Sequence, residues 1–282
     1  MRSIRSACCV FLALAVLSSA MAQSHAPADA SDMAQRQVIT YLARLADLHC
    51  SESVLQEKFA PNGHLEASER ARYDYLVMID GKGDGFQLNE SRIEASGYKQ
   101  KPLPMLLTNG FATMLLVFHP YYRDSFLFEP RPDEMLDGRP ALPLQFTQVE
   151  GRRALAALAL RGREYPLALS GTAWLDKQSG QVEKIDAFLL HDMSDIGLRS
   201  MSVRVQYKSF DLGKSIGSML LPAVAVVDVT TPRQHWRNTH TFDDYRTFST
   251  EAEQDPNVKV HANKPAAAGD ASQQLPDNKE KP

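Results

Sequence analysis

Apolar and polar positions along this chain change their period several times, and each change predicts an element. From Asp32, the residues Val38, Tyr41, Leu42, Leu45 and Leu48 recur at spacings of three and four, which is one stripe of an amphipathic helix. Asp32, with Gln35 three residues on, suits its N-cap, and the helix is expected to stop near His49 to Ser51. From Arg72 the period falls to two. Tyr73 to Ile79 reads as a strand, Asp80 to Gly85 as a glycine-rich turn and Phe86 to Ile93 as the returning partner. Pro102 and Pro104 punctuate a loop from Lys101. Thr108 is placed to cap a short helix over Asn109 to His119, which Pro120 would end. Phe111, Met114, Leu115 and Phe118 share one face of it. A helix this apolar must be covered.

The rest reads as strand. Ser125 to Glu129 is one, and Leu142, Leu144 and Phe146 alternate in the next. Tyr165, Leu167 and Leu169 lead into Gly171 to Leu175, a turn at Asp176 to Gly180 and a return over Gln181 to Leu190. Met201, Val203, Val205 and Tyr207 alternate with polar residues, Leu220 to Val229 follows, and Arg233 to Thr247 is a last long strand. Frequent turns with no interleaved helices predict an antiparallel sheet built of hairpins.

The ends differ from this body. Arg2 and Arg5 precede an apolar run, Ala7 to Leu17, and Ala20-Met21-Ala22 offers small residues for cleavage before Gln23, so residues 1–22 read as a secretory signal peptide. Cys8 and Cys9 precede the position a lipidation signal needs, and Cys50 is the cysteine left after cleavage, expected buried and inert. Residues 23–30 read as a flexible lead-in, 31–250 as one folded domain and 251–282 as a disordered tail rich in Pro, Ala, Gln and Asn. The compartment expected is outside the cytoplasm. Lys plus Arg is 31 against 34 for Asp plus Glu, a balance without the basic footprint of a nucleic-acid partner.

Candidate chemistry is sparse. Gly213-Lys-Ser-Ile-Gly217 matches the G-x-S-x-G elbow, with Asp228 and His235 following, but lies between two strand patterns instead of opening a helix. Asp80-Gly-Lys-Gly-Asp-Gly85 starts like a calcium loop, yet Lys82 stands at a ligand position and Ser91 at the twelfth. The histidines show no metal-ligand spacing. His235 and His240 differ by five and face opposite ways in a strand. No cofactor, metal ion or catalytic residue is predicted.

The segment Gly171-Thr-Ala-Trp-Leu-Asp-Lys-Gln-Ser-Gly-Gln-Val-Glu-Lys-Ile-Asp186 is a hairpin with a Trp-hydrophobic-Asp strand end and a Val-x-x-Ile return. With the preceding amphipathic helix and the short apolar helix, it resembles the LolA/LolB-like fold of periplasmic lipoprotein carriers. The closing segment Pro232 to Phe248 resembles the last strand of secreted bacterial proteins related to that group. The resemblance implies an α+β fold: a strongly curved antiparallel sheet, a half-open barrel, with the N-terminal helix and the short apolar helix on its concave face. It implies an apolar cavity for a lipid or a lipoprotein acyl chain, with the Asn109 to His119 helix as lid or plug and a role in outer-membrane lipoprotein sorting. Expected ligand contacts are Phe111, Met114, Leu115 and Phe118 on the plug, and Trp174, Leu189, Val203 and Val205 in the wall. The same residues would serve a non-catalytic scaffold with a filled core, bound to an outer-membrane or envelope protein.

Overall fold

Helix α1 (Pro27–Leu45) buries Ala30, Ala34, Val38, Leu42 and Leu45, a stripe at steps of four and three. The computed structural model describes residues 27–45, 48–80, 87–94, 106–108, 110, 112–160, 162–214 and 216–247. The predicted signal peptide, the glycine-rich turn 81–85, the loop 101–104 and the tail 251–282 lie outside them. The chain divides into two units, Met1–Thr247 and Phe248–Pro282, and every described residue belongs to the first.

The helix begins at Pro27, within the expected lead-in, so Asp32 lies inside it and does not cap it. It ends at Leu45, and the stretch expected to finish it opens strand β1 (Leu48–Phe59). That strand escaped the period-two reading because its inward positions mix chemistries. Cys50 and Val54 alternate on the buried side with Glu52 and Gln56, and a pattern of hydrophobicity cannot register buried polar side chains.

The next strands are β2 (Leu65–Asp80), β3 (Gln87–Glu94), β4 (Phe126–Pro130), β5 (Glu134–Leu136) and β6 (Arg139–Gln148). Then follow β7 (Ala156–Leu160), β8 (Arg163–Leu167), β9 (Leu169–Asp176), β10 (Val182–Leu189), β11 (Ser200–Asp211), β12 (Ser218–Thr230) and β13 (His235–Thr247). Eleven of them form one sheet in the order β3-β2-β1-β13-β12-β11-β10-β9-β6-β4, with β5 attached to β6. All its pairings are antiparallel. The first and last long strands lie side by side, Val54 opposite His240. Strands β7 and β8 form a separate hairpin.

Twist of roughly 20–25° per strand accumulates over so many strands into a curved sheet. It remains open, with β3 and β4 at its edges. At about 1.5 Å per residue the 19 residues of α1 reach about 28 Å, enough to cross roughly six strands spaced near 4.8 Å. The helix contacts β4 and the short apolar segment, and Met33 packs against Gly180 at the β9–β10 turn.

That apolar segment is not the α-helix expected over Asn109 to His119. It is a 3-10 helix, Ala112–Phe118, followed at once by a second, Pro120–Ser125. Gly110, with φ of 92°, precedes the first turn, and Pro120 starts the second instead of ending the first. Its missing N–H is harmless at a helix start, and the Nδ1 of His119 accepts from the Tyr121 amide. Thr108 caps nothing; its hydroxyl is engaged elsewhere.

Candidate functional site

Residues 106–108 and 110, which lead into the apolar 3-10 turn, have no regular structure, so strand side chains take over their backbone hydrogen bonds. Gln56 Nε2 and Asn238 Nδ2 both donate to the Leu106 carbonyl, at 2.7 and 2.6 Å. Arg92 donates to the Thr108 carbonyl at 3.0 Å, and the Gly110 amide donates to Glu90 Oε2 at 2.6 Å. The Thr108 hydroxyl accepts from Asn238 at 2.9 Å and meets His240 Nε2 at 2.7 Å. The other ring nitrogen of His240 lies 2.7 Å from Glu52 Oε1. A carboxylate only accepts, so His240 carries its proton on Nδ1, and Nε2 accepts from Thr108.

This strap therefore hangs on a buried charged cluster. Glu52 is wholly buried and His240 nearly so, and Arg92 forms two bonds to the Glu52 carboxylate, one of them 2.7 Å long. Burial acts to raise the Glu52 pKa, but the hydrogen bonds from His240 and Arg92 outweigh it and hold the group below the usual carboxylate value. Burial raises Glu90, against the Gly110 amide, Tyr75 and Arg92, and burial lowers His240, against Glu52. The guanidinium of Arg92 also lies 5.7 Å from the centre of the Tyr75 ring. The chain Thr108–His240–Glu52 has the order of a hydrolytic triad. Here, however, Asn238 donates to the same hydroxyl and the Gly110 amide is taken by Glu90. The groups fasten a strap.

Beyond the strap the buried face of the sheet is predominantly apolar, and two recesses open on it. The first, about 280 Å³, lies between the strap and the β7–β8 hairpin, over Met201 and Val203 of β11 and Val227 and Val229 of β12. The second, about 260 Å³, lies beneath α1 and over Tyr207 and Met219, farther along the same two strands. Met114 lines the first and Leu115 the second, so the 3-10 turn stands between them.

The expected contact residues are thus divided. Met114 and Val203 come together in the first recess, and Leu115 lines the second. Phe118 stacks on Phe128, ring centres 5.3 Å apart, and borders a recess of about 220 Å³ with Asp32 and Arg123 of the neighbouring elements. Neighbouring side chains stand about 120° apart in a 3-10 helix, a little more than the roughly 100° of an α-helix, so Met114 and Leu115 turn to different recesses. Val205 is packed core, and Leu189 packs on the core from its margin. Phe111 lies outside the described residues. Trp174 corrects the expectation: its β9 neighbours Ala173 and Leu175 point inward, and Trp174 takes the other face. There its indole N–H donates to Glu134, and Lys184 lies 3.9 Å from the ring centre.

Ser215 falls between β11 and β12, outside the described residues, while Asp228 lies ten residues beyond Ser218 along β12, about 33 Å away. Asp228 instead holds His235 at 2.8 Å and Arg237 at 2.9 Å. Glu52, Gln56, Glu90, Arg92, Asn238 and His240 form a group that hydrophobic periodicity does not reveal. The one signal available was the inward parity of Asn238 and His240 with Phe242 on β13.

No family model and no curated protein matches the chain. Its structural neighbours include a DUF1329 protein and a lipoprotein-sorting domain. The DUF1329 family protein, from Desulfovibrio piger, is 13% identical, with 79% of this chain and 94% of that one covered and a TM-score of 0.42. The domain named for outer membrane lipoprotein sorting, from Vibrio parahaemolyticus, is 11% identical over 80% and 94%, with a TM-score of 0.38. The MucA/MucB complex of Pseudomonas aeruginosa supplies a third, 12% identical over 78% and 99%, with a TM-score of 0.23.

Proposed function

We propose that this is an exported periplasmic protein that binds a lipid or lipoprotein acyl chain between its curved sheet and the Met114–Phe118 plug, in the service of outer-membrane lipoprotein sorting. The observation that carries the reading is the pair of recesses, about 280 and 260 Å³, divided by one 3-10 turn on an apolar sheet face. Each alone falls just below the roughly 300–1,000 Å³ of ordinary ligand sites. Joined by a shift of the turn, they would form a channel along β11 and β12 suited to an extended chain.

The energetics favour a guest of this kind. Each methylene withdrawn from water contributes about 0.8 kcal/mol. The hairpin over the first recess belongs to no larger sheet, and an isolated two-stranded hairpin is only marginally stable, which suits a movable cover. Residues 1–22 serve export and the domain of residues 31–250 binds.

Displacement of a fluorescent fatty acid tests the reading. Wild-type protein takes up the probe. Val203→Phe, which fills the first recess, and Leu115→Glu, which charges the plug, each lower uptake at least tenfold while far-UV circular dichroism retains the sheet. Folded wild-type protein that takes up no probe overturns the carrier reading and leaves a non-catalytic envelope module.

A further inference from the structure

Strand β7, Ala-Ala-Leu-Ala-Leu over Ala156–Leu160, is bonded along one edge only. Its ladder runs to β8, from Ala156 opposite Leu167 to Leu160 opposite Arg163, and its backbone makes no other hydrogen bond among the described residues. Alternate N–H and C=O groups of β7 therefore point away from β8 with no partner among those residues. Ala156, Ala157 and Leu158 all line the first recess. Consecutive strand residues face opposite ways, so a cavity that meets all three runs along the edge of the strand. Across it stands the strap, whose Leu106 and Thr108 carbonyls and Gly110 amide are already held by the cluster beneath them. Exposed edges are usually blunted by charges or proline. Strand β8 carries Arg163, Glu164 and Pro166, and β7 carries neither charge nor proline.

We propose that the free edge of β7 takes the extended polypeptide of an acylated client as a third strand of the hairpin, so that the ligand is a lipoprotein and not a free lipid. This rests on the acyl-binding reading and adds the polypeptide half of the ligand. The floor of the recess, Met201, Val203, Val227 and Val229, suits the acyl tail, and its rim presents a row of backbone groups that another extended backbone pairs in register. The ends of the hairpin add charge. Arg152 precedes β7, and Arg163 opens β8 opposite Leu160. Both are exposed, and neither forms an ion pair among the described residues, even with Glu150 and Glu164 close by in sequence. A client segment with carboxylates at its ends complements them. Two copies of β7 paired antiparallel would instead bring the arginines of one copy towards those of the other, which like charge disfavours.

Titration calorimetry with a set of synthetic probes tests the strand. One is methyl dodecanoate. Another is an acetylated peptide of alternating valine and threonine with two aspartates at each end, and a third is the same peptide dodecanoylated at its N-terminus. The last is the dodecanoyl peptide with N-methyl groups on two adjacent central amides. An added strand turns alternate amides to its neighbour, so adjacent methyl groups block both edges of the peptide. The dodecanoyl peptide should bind about tenfold or more tightly than methyl dodecanoate, a few hydrogen bonds' worth, and its methylated form no more tightly than the ester. Arg152→Glu/Arg163→Glu should weaken the dodecanoyl peptide about fivefold and leave the ester unchanged. Equal affinity for dodecanoyl peptide and ester overturns the strand and leaves the acyl cavity standing, as does a gain that survives methylation of both edges. Affinity unmoved by the charge reversal overturns the acidic client. A protein dimer that the peptide does not dissociate gives the edge to a second copy and overturns the proposal. Binding of the acetylated peptide alone overturns the acyl cavity and keeps the strand, and folded protein that takes none of the probes overturns both.

Discussion

Replacing Arg92 by Met strips the strap cluster of its permanent cation and leaves its shape nearly intact. Glu52 would then remain wholly buried, with the His240 N–H as its partner, and the Thr108 carbonyl would lose the Arg92 donor. Removing one partner of a buried ion pair costs about 3–5 kcal/mol, because the remaining charge stays desolvated. Against a total stability of about 5–15 kcal/mol, that is a loss visible in any urea titration. The loss should depend on pH. In wild type the depressed Glu52 contributes stability that is complete above the ordinary 4.5 and fades as pH falls through its lower folded value. Depressed His240 acts in the same direction, because below 6.5 the unfolded chain takes a proton that the folded one resists. Raised Glu90 opposes both, adding stability below 4.5 that is lost as pH rises through its folded value. In the variant Glu52 loses the cation that depresses its pKa and protonates more readily, so the penalty shrinks on acidification. Urea denaturation followed by circular dichroism, at neutral and mildly acid pH, measures this directly. Adding Glu52→Gln should recover more than half of the loss. A single-variant loss below about 1 kcal/mol at neutral pH, or a double variant no more stable than the single, refutes the reasoning.

Two further outcomes follow from packing. A Cβ at Gly171 would overlap the Asp186 carbonyl and come within 2.6 Å of Phe146 Cζ, so Gly171→Ala should destabilise by about 1–3 kcal/mol in thermal or urea unfolding. Phe146→Leu should not rescue it, since the Asp186 backbone stays in place; rescue would mean that the ring alone sets the limit. Burial pushes the Cys50 thiol from 9.0 up to about 12, about a thousandfold less thiolate in mild alkali. In protein starting at Gln23, iodoacetamide labelling should therefore wait for unfolding, and rapid labelling of the folded chain would show the site to be accessible.

The residues by themselves determined most of the sheet. Along β6, β9, β10, β11 and β12 the inward positions are predominantly apolar, and a period of two marks such strands without help from distant sequence. The same local logic located the apolar plug and placed His235 and His240 on opposite faces. Tertiary structure decided the remainder. Strand β1 and the strap cluster were hidden because Glu52, Gln56, Asn238 and His240 are polar residues whose burial is acceptable only once Arg92 and the strap carbonyls arrive from elsewhere in the chain. The plug's 3-10 geometry is found between Gly110 and Pro120, with α1 packed against it, and no local hydrophobic period distinguishes it from an α-helix. Space left between elements is a property of their docking, so hydrophobicity could announce an interior but could not say where it is empty.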